Sequence, residues 1–272
     1  MAPITAKPET LAPALRGYFI ALISTAVLST TGILIKYLLV NYPIATLTLA
    51  LWRVAFVTLG LVTVLAIFRP ALLRVHRRDV VQFALLGVAG IGVHQIVWVS
   101  SVAANGAAVA TVLVSIQPAI VALISWRLLG ESLGRVKMIS LALTLTGVVL
   151  VSRIYGTGLS NLNLGGILLG VGSGFTWAMY ALLSRHATRR YSAWTSLFYA
   201  FFFGTLFLLP LQFVTFSPFE SGYALALMPA WQNLFSIGGQ WSGWGMLLLL
   251  ALGPTLTGFA LYTIGLSHLP AS

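Results

Sequence analysis

Eight stretches of 17 to 25 residues, at 17–40, 44–68, 80–102, 105–129, 136–152, 164–184, 193–214 and 243–267, hold four cations and no acid between them. A helix needs about 20 mostly apolar residues to cross a bilayer core. In lipid it also satisfies its own backbone polar groups. Each stretch therefore reads as a spanning helix, and the fold class is an all-α integral membrane protein. Composition agrees: 59% of residues are hydrophobic and 7% charged, where soluble domains carry about a quarter charged residues. A soluble enzyme, a nucleic-acid binder and a disordered chain are excluded. The absence of cysteine removes disulfides, thiolate metal sites and cysteine nucleophiles. Four acids, Glu9, Asp79, Glu131 and Glu220, leave little for carboxylate chemistry. No Walker loop, metal cluster or nucleophile–base pair is present in the sequence, so neither catalysis, ATP drive nor a cofactor is expected.

The 15 Lys and Arg set the orientation. With a cytoplasmic N-terminus, twelve fall on cytoplasmic ends: Lys7 and Arg16; Arg69, Arg74, Arg77 and Arg78; Arg127, Arg135 and Lys137; Arg185, Arg189 and Arg190. Lys36 and Arg153 fall outside, and Arg53 lies within a span. The positive-inside rule then places the N-terminus in the cytoplasm and, for an even number of spans, Ser272 as well. The net charge of +11 is a topology signal before it is a partner signal, and no nucleic-acid partner is expected. Residues 1–16 lack an apolar core and read as a cytoplasmic N-terminal segment, not a signal peptide. The connections at 41–43 and 103–104 are short enough to make antiparallel hairpins. The long external loop, 215–242, carries Trp231 and Trp241, with Trp244 just beyond, as interfacial anchors. Part of 217–235 is expected to form a helix on the membrane surface.

The two halves of the chain resemble each other. Gly17-Tyr18-Phe19-Ile20-Ala21 aligns with Gly166-Ile167-Leu168-Leu169-Gly170 at an offset of 149, which also pairs Ser24 with Ser173 and Lys36 with Arg185. Both helices carry small residues at i, i+4 and i+8 (Gly17, Ala21, Thr25; Gly166, Gly170, Gly174), a spacing that permits close helix contact in lipid. Trp98 to Ala107 resembles Tyr262 to Ala271 at an offset of 164. The first unit, 17–152, has five spans, so a second unit, 164–272, runs inverted, as in many transporters. A second unit of five spans would need about 44 more residues than the chain provides. The expectation is a ten-helix parent of which eight helices are present here.

These residues resemble the drug/metabolite transporter superfamily, EamA type. Gln117-Pro118, Ala122-Leu123 and Leu128-Leu129-Gly130-Glu131 resemble the "P…LLLGE" end of the family's fourth helix. Arg53, ten residues after Pro43, resembles the arginine of its second helix, and Ser101 to Ala108 the small-residue turn between helices three and four. Within the family the likeness is to the YddG kind of aromatic and neutral amino-acid exporter. The resemblance implies a multi-pass inner-membrane secondary transporter that works by alternating access, for which a monomer suffices. Its partners would be a small-molecule substrate and the bilayer. A multidrug carrier, a nucleotide-sugar carrier and a lipid-linked-substrate flippase subunit are the alternatives.

Ionisable residues at membrane depth are costly and usually functional. Arg53 and His94 lie at similar depth, one able to bind a carboxylate or hold backbone carbonyls, the other able to titrate. Both are coupling or gating candidates, together with Pro118 and Pro254, each expected in mid-helix and freeing the carbonyls of Val114 and Leu250. Near the midplane lie Leu28, Thr31, Gln117, Trp177, Tyr180 and Thr257, with Gln95 and Trp98 slightly outward. With His94 these are the candidate pocket residues. Trp177 and Tyr180, at i and i+3, share a helix face.

Overall fold

The computed structural model describes residues 8–129, 134–152, 163–213, 234–235 and 241–268. Among them the regular structure is helical throughout: α1 (Pro8–Asn41), α2 (Thr46–Phe68), α3 (Val80–Gly87), α4 (His94–Val114), α5 (Gln117–Leu129), α6 (Arg135–Ser152), α7 (Leu164–Thr188), α8 (Ala193–Leu211), α9 (Trp241–Leu250) and α10 (Gly258–His268). Two 3₁₀ turns, Pro70–Leu73 and Arg77–Asp79, lead into α3. A π-helical segment, Val88–Val93, runs α3 into α4, and a second, Ala251–Thr257, runs α9 into α10.

Six helical stretches are long and apolar enough to cross a membrane: Arg16–Asn41, Thr46–Phe68, Arg77–Arg127, Leu164–Thr188, Ala193–Leu211 and Trp241–Gly265. The exterior suits lipid, with Leu22, Ile33, Leu59, Ile67, Leu143 and Leu168 exposed. Among the described residues the bulkiest fully buried side chain is an arginine, Arg53.

Arg77–Arg127 is 51 residues long, which as a straight rod would cross more than two bilayer cores. It folds back instead. Gly106 has φ 80° and ψ 164°, a conformation open to glycine and strained for other residues. A Cβ placed on Gly170 would meet both Ser101 Oγ (2.8 Å) and Leu113 Cβ (2.7 Å), from the two sides of this turn. His94 reaches Ser173 and Thr176 on α7, whereas Ile116 reaches Gly174. One arm therefore runs antiparallel to α7 and the other parallel to it. The turn is fastened by Asn105, whose Nδ2 donates to Asn163 O (3.0 Å) while Asn163 N donates to its Oδ1 (2.8 Å). Asn163 Oδ1 in turn accepts from Gly166 N (2.9 Å) and caps α7. The reversal falls at Gly106 rather than at 103–104 because that is the glycine.

Pro118 is not in mid-helix. The chain turns at Ser115–Ile116 and α5 begins at Gln117, so Pro118 occupies a first turn, where its missing N–H has no helical partner to lose.

In lipid, helices adhere by close packing and hydrogen bonds rather than by hydrophobic burial. Accordingly α7 lies along α4, α1 along α10 and α2 along α8. The α7 glycines make the first contact possible: Gly166 faces Ala104 and Asn105, Gly170 faces Ser101 and Leu113, Gly174 faces Ile116. Ser101 Oγ donates to Gly166 O and Ser24 Oγ to Gly258 O, both at 2.9 Å, one bond across each of two interfaces.

The 70–79 segment docks on the start of α8. Thr195 Oγ1 donates to Leu72 O (2.8 Å), Tyr199 OH to Leu73 O (2.7 Å), and Tyr191 OH to Asp79 Oδ2. The Asp79 carboxylate holds the Tyr191 proton and pushes that phenol above the usual tyrosine range. Trp244 packs edge-on against Trp52 and Phe56 (centroids 5.2 and 6.2 Å apart), while Trp241 is exposed. The proposed surface helix within 217–235, save the turn at 234–235, lies outside the described residues, as do Lys7, Gly130, Glu131, Arg153 and Trp231.

Candidate functional site

The buried Arg53 is held by a hydrogen-bond chain that starts at a helix defect. Pro254 lies inside the second π segment and has no N–H to give to Leu250 O. Thr255 Oγ1 donates to that carbonyl instead (2.7 Å), and its lone pair accepts from Arg53 Nε (2.8 Å). Arg53 Nη1 donates to Gln95 Oε1 (2.9 Å) on α4. Three elements, α2, α4 and the π segment, thus fix one guanidinium.

Beside it opens a cavity of about 280 Å³. Arg53, His94, Thr31, Gln117 and several hydroxyls (Thr25, Ser29, Thr111, Ser115) supply its polar groups, and Leu28, Trp98, Val114, Trp177, Phe259 and Tyr262 its apolar wall. The aromatics form one connected set around Trp177, whose ring lies 5.1 Å from His94, 5.1 Å from Tyr262 and 4.9 Å from Phe259, the last edge-on. Trp98 stacks on His94 at 6.4 Å and 11°. His94 Nδ1 sits 3.2 Å from Ser173 O and 3.0 Å from Thr176 Oγ1. The Thr176 hydroxyl directs its own proton to Gly172 O or Ser173 O. Nδ1 is therefore the protonated nitrogen, and Nε2 is left as an acceptor.

Of the residues singled out from sequence, Leu28, Thr31, Arg53, His94, Trp98, Gln117 and Trp177 line this one cavity. The others do not. Gln95 is fully buried behind Arg53. Tyr180 stacks under Trp177 (5.5 Å, 19°), but its hydroxyl is spent on Thr263 Oγ1 (2.7 Å) and its backbone is pressed against Gly90. Thr257 is exposed and bonded to Leu252 O (3.3 Å), while Thr255 takes the inward position. Pro118 is exposed at the start of α5, and Pro254 is buried beneath Arg53's acceptor. Tyr262 and Phe259 were not among the candidates, although the 164-residue offset pairs Tyr262 with Trp98 and Phe259 with Gln95.

The class that this architecture defines is a multi-span α-helical membrane protein with a small amphipathic cavity that is open on one side. The profile of the EamA-like transporter family matches residues 15–153 and again 164–272, so the chain belongs to that family and is a transporter. No curated protein matches the sequence. A solved structure described only as "Crystal structure of protein" superposes with a TM-score of 0.66 at 16% identity, covering 93% of this chain and 80% of that one. That likeness is one of fold.

Proposed function

We propose that this transporter exports aromatic or neutral amino acids and related metabolites across the inner membrane by alternating access, like the YddG kind of exporter it resembles. The observation that carries the reading is the make-up of the cavity. Trp98, Trp177, Phe259 and Tyr262 offer an apolar wall, and Arg53, Thr31 and Gln117 a few polar groups, an arrangement suited to a small amphipathic solute. A nucleotide sugar would ask for more room and more than one cation for its phosphates. A multidrug substrate would use the wall but give Arg53 no work.

Two inverted five-helix units with a cytoplasmic N-terminus are the proposed basis of the motion. Three observations support them. The first helix of each unit lies along the third of the other, α1 on α10 and α7 on α4. The offset of 164 carries the π segment Val88–Val93 onto 252–257, inside the second π segment. The offsets also pair Leu28 with Trp177 and Trp98 with Tyr262, all four of which line the cavity. Rocking one unit on the other would open that cavity to each side in turn. Proton coupling, where it operates, runs through His94; Arg53, the Pro118 turn and the Pro254 π segment are the elements that gate.

The test is counterflow into proteoliposomes preloaded with single unlabelled amino acids. Label should accumulate for aromatic and neutral members. Intact protein that exchanges none of them contradicts the substrate assignment.

A further inference from the structure

We propose that the cavity selects for a single negative charge. Its preferred occupant is an amphipathic monocarboxylate with an aromatic or branched apolar body and no ammonium group, bound more tightly than the zwitterionic amino acid of the same body, and its export carries net charge across the membrane. This rests on the transporter reading above and, among the amino acids and related metabolites that it names, ranks the related 2-hydroxy and 2-oxo acids first.

The charge inventory is the first argument. The chain has four acidic residues. Only Asp79 has a described side chain, and it is engaged with Tyr191 and Arg190 away from the cavity. Among the described residues, then, no carboxylate faces the cavity, while Arg53 lines it and is 2% exposed. A guanidinium has five N–H donors. Two are taken, by Thr255 and Gln95, and both partners are neutral. A buried charge without a counter-charge is costly, and a monoanion in the cavity would supply the missing charge. A zwitterion would bring an ammonium for which the described lining has no anion, and which Arg53 repels.

The second argument is an unpartnered hydroxyl. Thr25, Ser29 and Thr30 on α1 donate back to Ala21, Ala26 and Val27 carbonyls at 2.7 to 2.9 Å. Thr31, next along the same helix, lines the cavity with its Oγ1 buried and bonded to nothing. A ligand oxygen that reaches it would give this hydroxyl the partner it lacks. His94 adds a complement, since its Nε2 can accept from a hydroxyl or an indole N–H. An ammonium could also bond there, but it would add a second cation to a cavity whose described lining holds no anion.

The energetic consequence follows from charge alone. One anion leaving a compartment that is negative inside moves downhill, and 100 mV shifts the equilibrium ratio about 50-fold for a single charge. Such an exporter needs no intramembrane carboxylate to carry protons, and the eight apolar stretches of this sequence contain none.

The experiment uses the purified full chain and three ligands with one ring: 3-phenyllactate (anion), phenylalanine (zwitterion) and phenethylamine (cation). Competition against labelled phenyllactate should rank phenyllactate at least tenfold above phenylalanine, with phenethylamine inactive. Phenyllactate efflux from proteoliposomes should accelerate under an inside-negative valinomycin potential. Thr31→Val, which removes a hydroxyl that has no protein partner, should weaken phenyllactate binding about fivefold at unchanged thermal stability, whereas Arg53→Gln also removes internal bonds and serves only as a secondary variant. Phenylalanine binding as tightly as phenyllactate, or efflux indifferent to potential, overturns the inference and leaves the transporter reading standing. Failure of all three ligands, together with failure of the whole counterflow panel, overturns both.

Discussion

Arg53 Nε donates to Thr255 Oγ1 across 2.8 Å, and the same hydroxyl donates onward to Leu250 O at 2.7 Å. One side chain thus repairs the backbone gap left by Pro254 and anchors the buried cation. Thr255→Val keeps the shape and removes both bonds. It should destabilise the protein by about 2–3 kcal/mol, because a carbonyl and a charged donor are both left short. Thr255→Ser should recover most of the loss. Thermal unfolding in detergent measures both variants.

The glycines of α7 divide into crowded and open. A Cβ on Gly170 would press on Ser101 and Leu113, whereas one on Gly172 meets nothing within 4 Å. Gly170→Ala should cost about 1–3 kcal/mol through overpacking. Gly172→Ala should be neutral or stabilising by up to about 1 kcal/mol, from helix propensity. Equal behaviour of the two in a thermal scan would contradict the α4–α7 contact.

Trp177 and Tyr180 are stacked on each other yet differ in what they touch. Trp177 faces the cavity; Tyr180 is fully buried against Gly90 and Thr263. Trp177→Ala should reduce transport of bulky solutes about tenfold more than of small ones, with the amount of protein in the membrane unchanged. Tyr180→Phe should instead lower stability by about 1 kcal/mol, the value of one buried hydrogen bond, and leave substrate preference alone. Counterflow with a size series separates the two.

Much of this was legible in the sequence, and the failures have a common cause. Apolar runs gave the helices, and depth arithmetic paired Arg53 with His94 but set Trp177 in a separate layer, whereas one cavity is lined by all three together with Trp98. Thr257 was a candidate by depth alone, and depth does not fix the face of a helix. In the segment Ala251–Thr257 the hydroxyls of Thr255 and Thr257 bond five residues back, not four. Thr255 is buried and Thr257 exposed, two residues apart and so on opposite faces of the segment. Tyr180 failed for a different reason: a shared helix face says that two rings are neighbours, not which of them reaches the opening. Pro118 was misplaced because the break at Ser115–Ile116 lies inside one apolar run, 105–129, that reads as a single helix.

Orientation has its own check. The sequence has no cysteine, so a single introduced thiol reports without background. Arg78→Cys, in the 3₁₀ turn before α3, should react with a membrane-impermeant maleimide only when the reagent is given access to the cytoplasmic face. Labelling in intact cells from outside would reverse the proposed topology.

The central claim is that the space beside Arg53 is a solvent-reached substrate cavity, and cysteine accessibility tests it most directly. Ser29 and Ser115 line the cavity from α1 and from the turn before α5, while Ile33 lies on α1 and is exposed to the exterior. Ser29→Cys and Ser115→Cys should react with an anionic methanethiosulfonate in proteoliposomes, and a transported solute should slow both reactions at least fivefold. Ile33→Cys should stay unreactive. If both cavity positions prove as inert as Ile33, or react at rates that no transported solute changes, the cavity is not the path of the substrate.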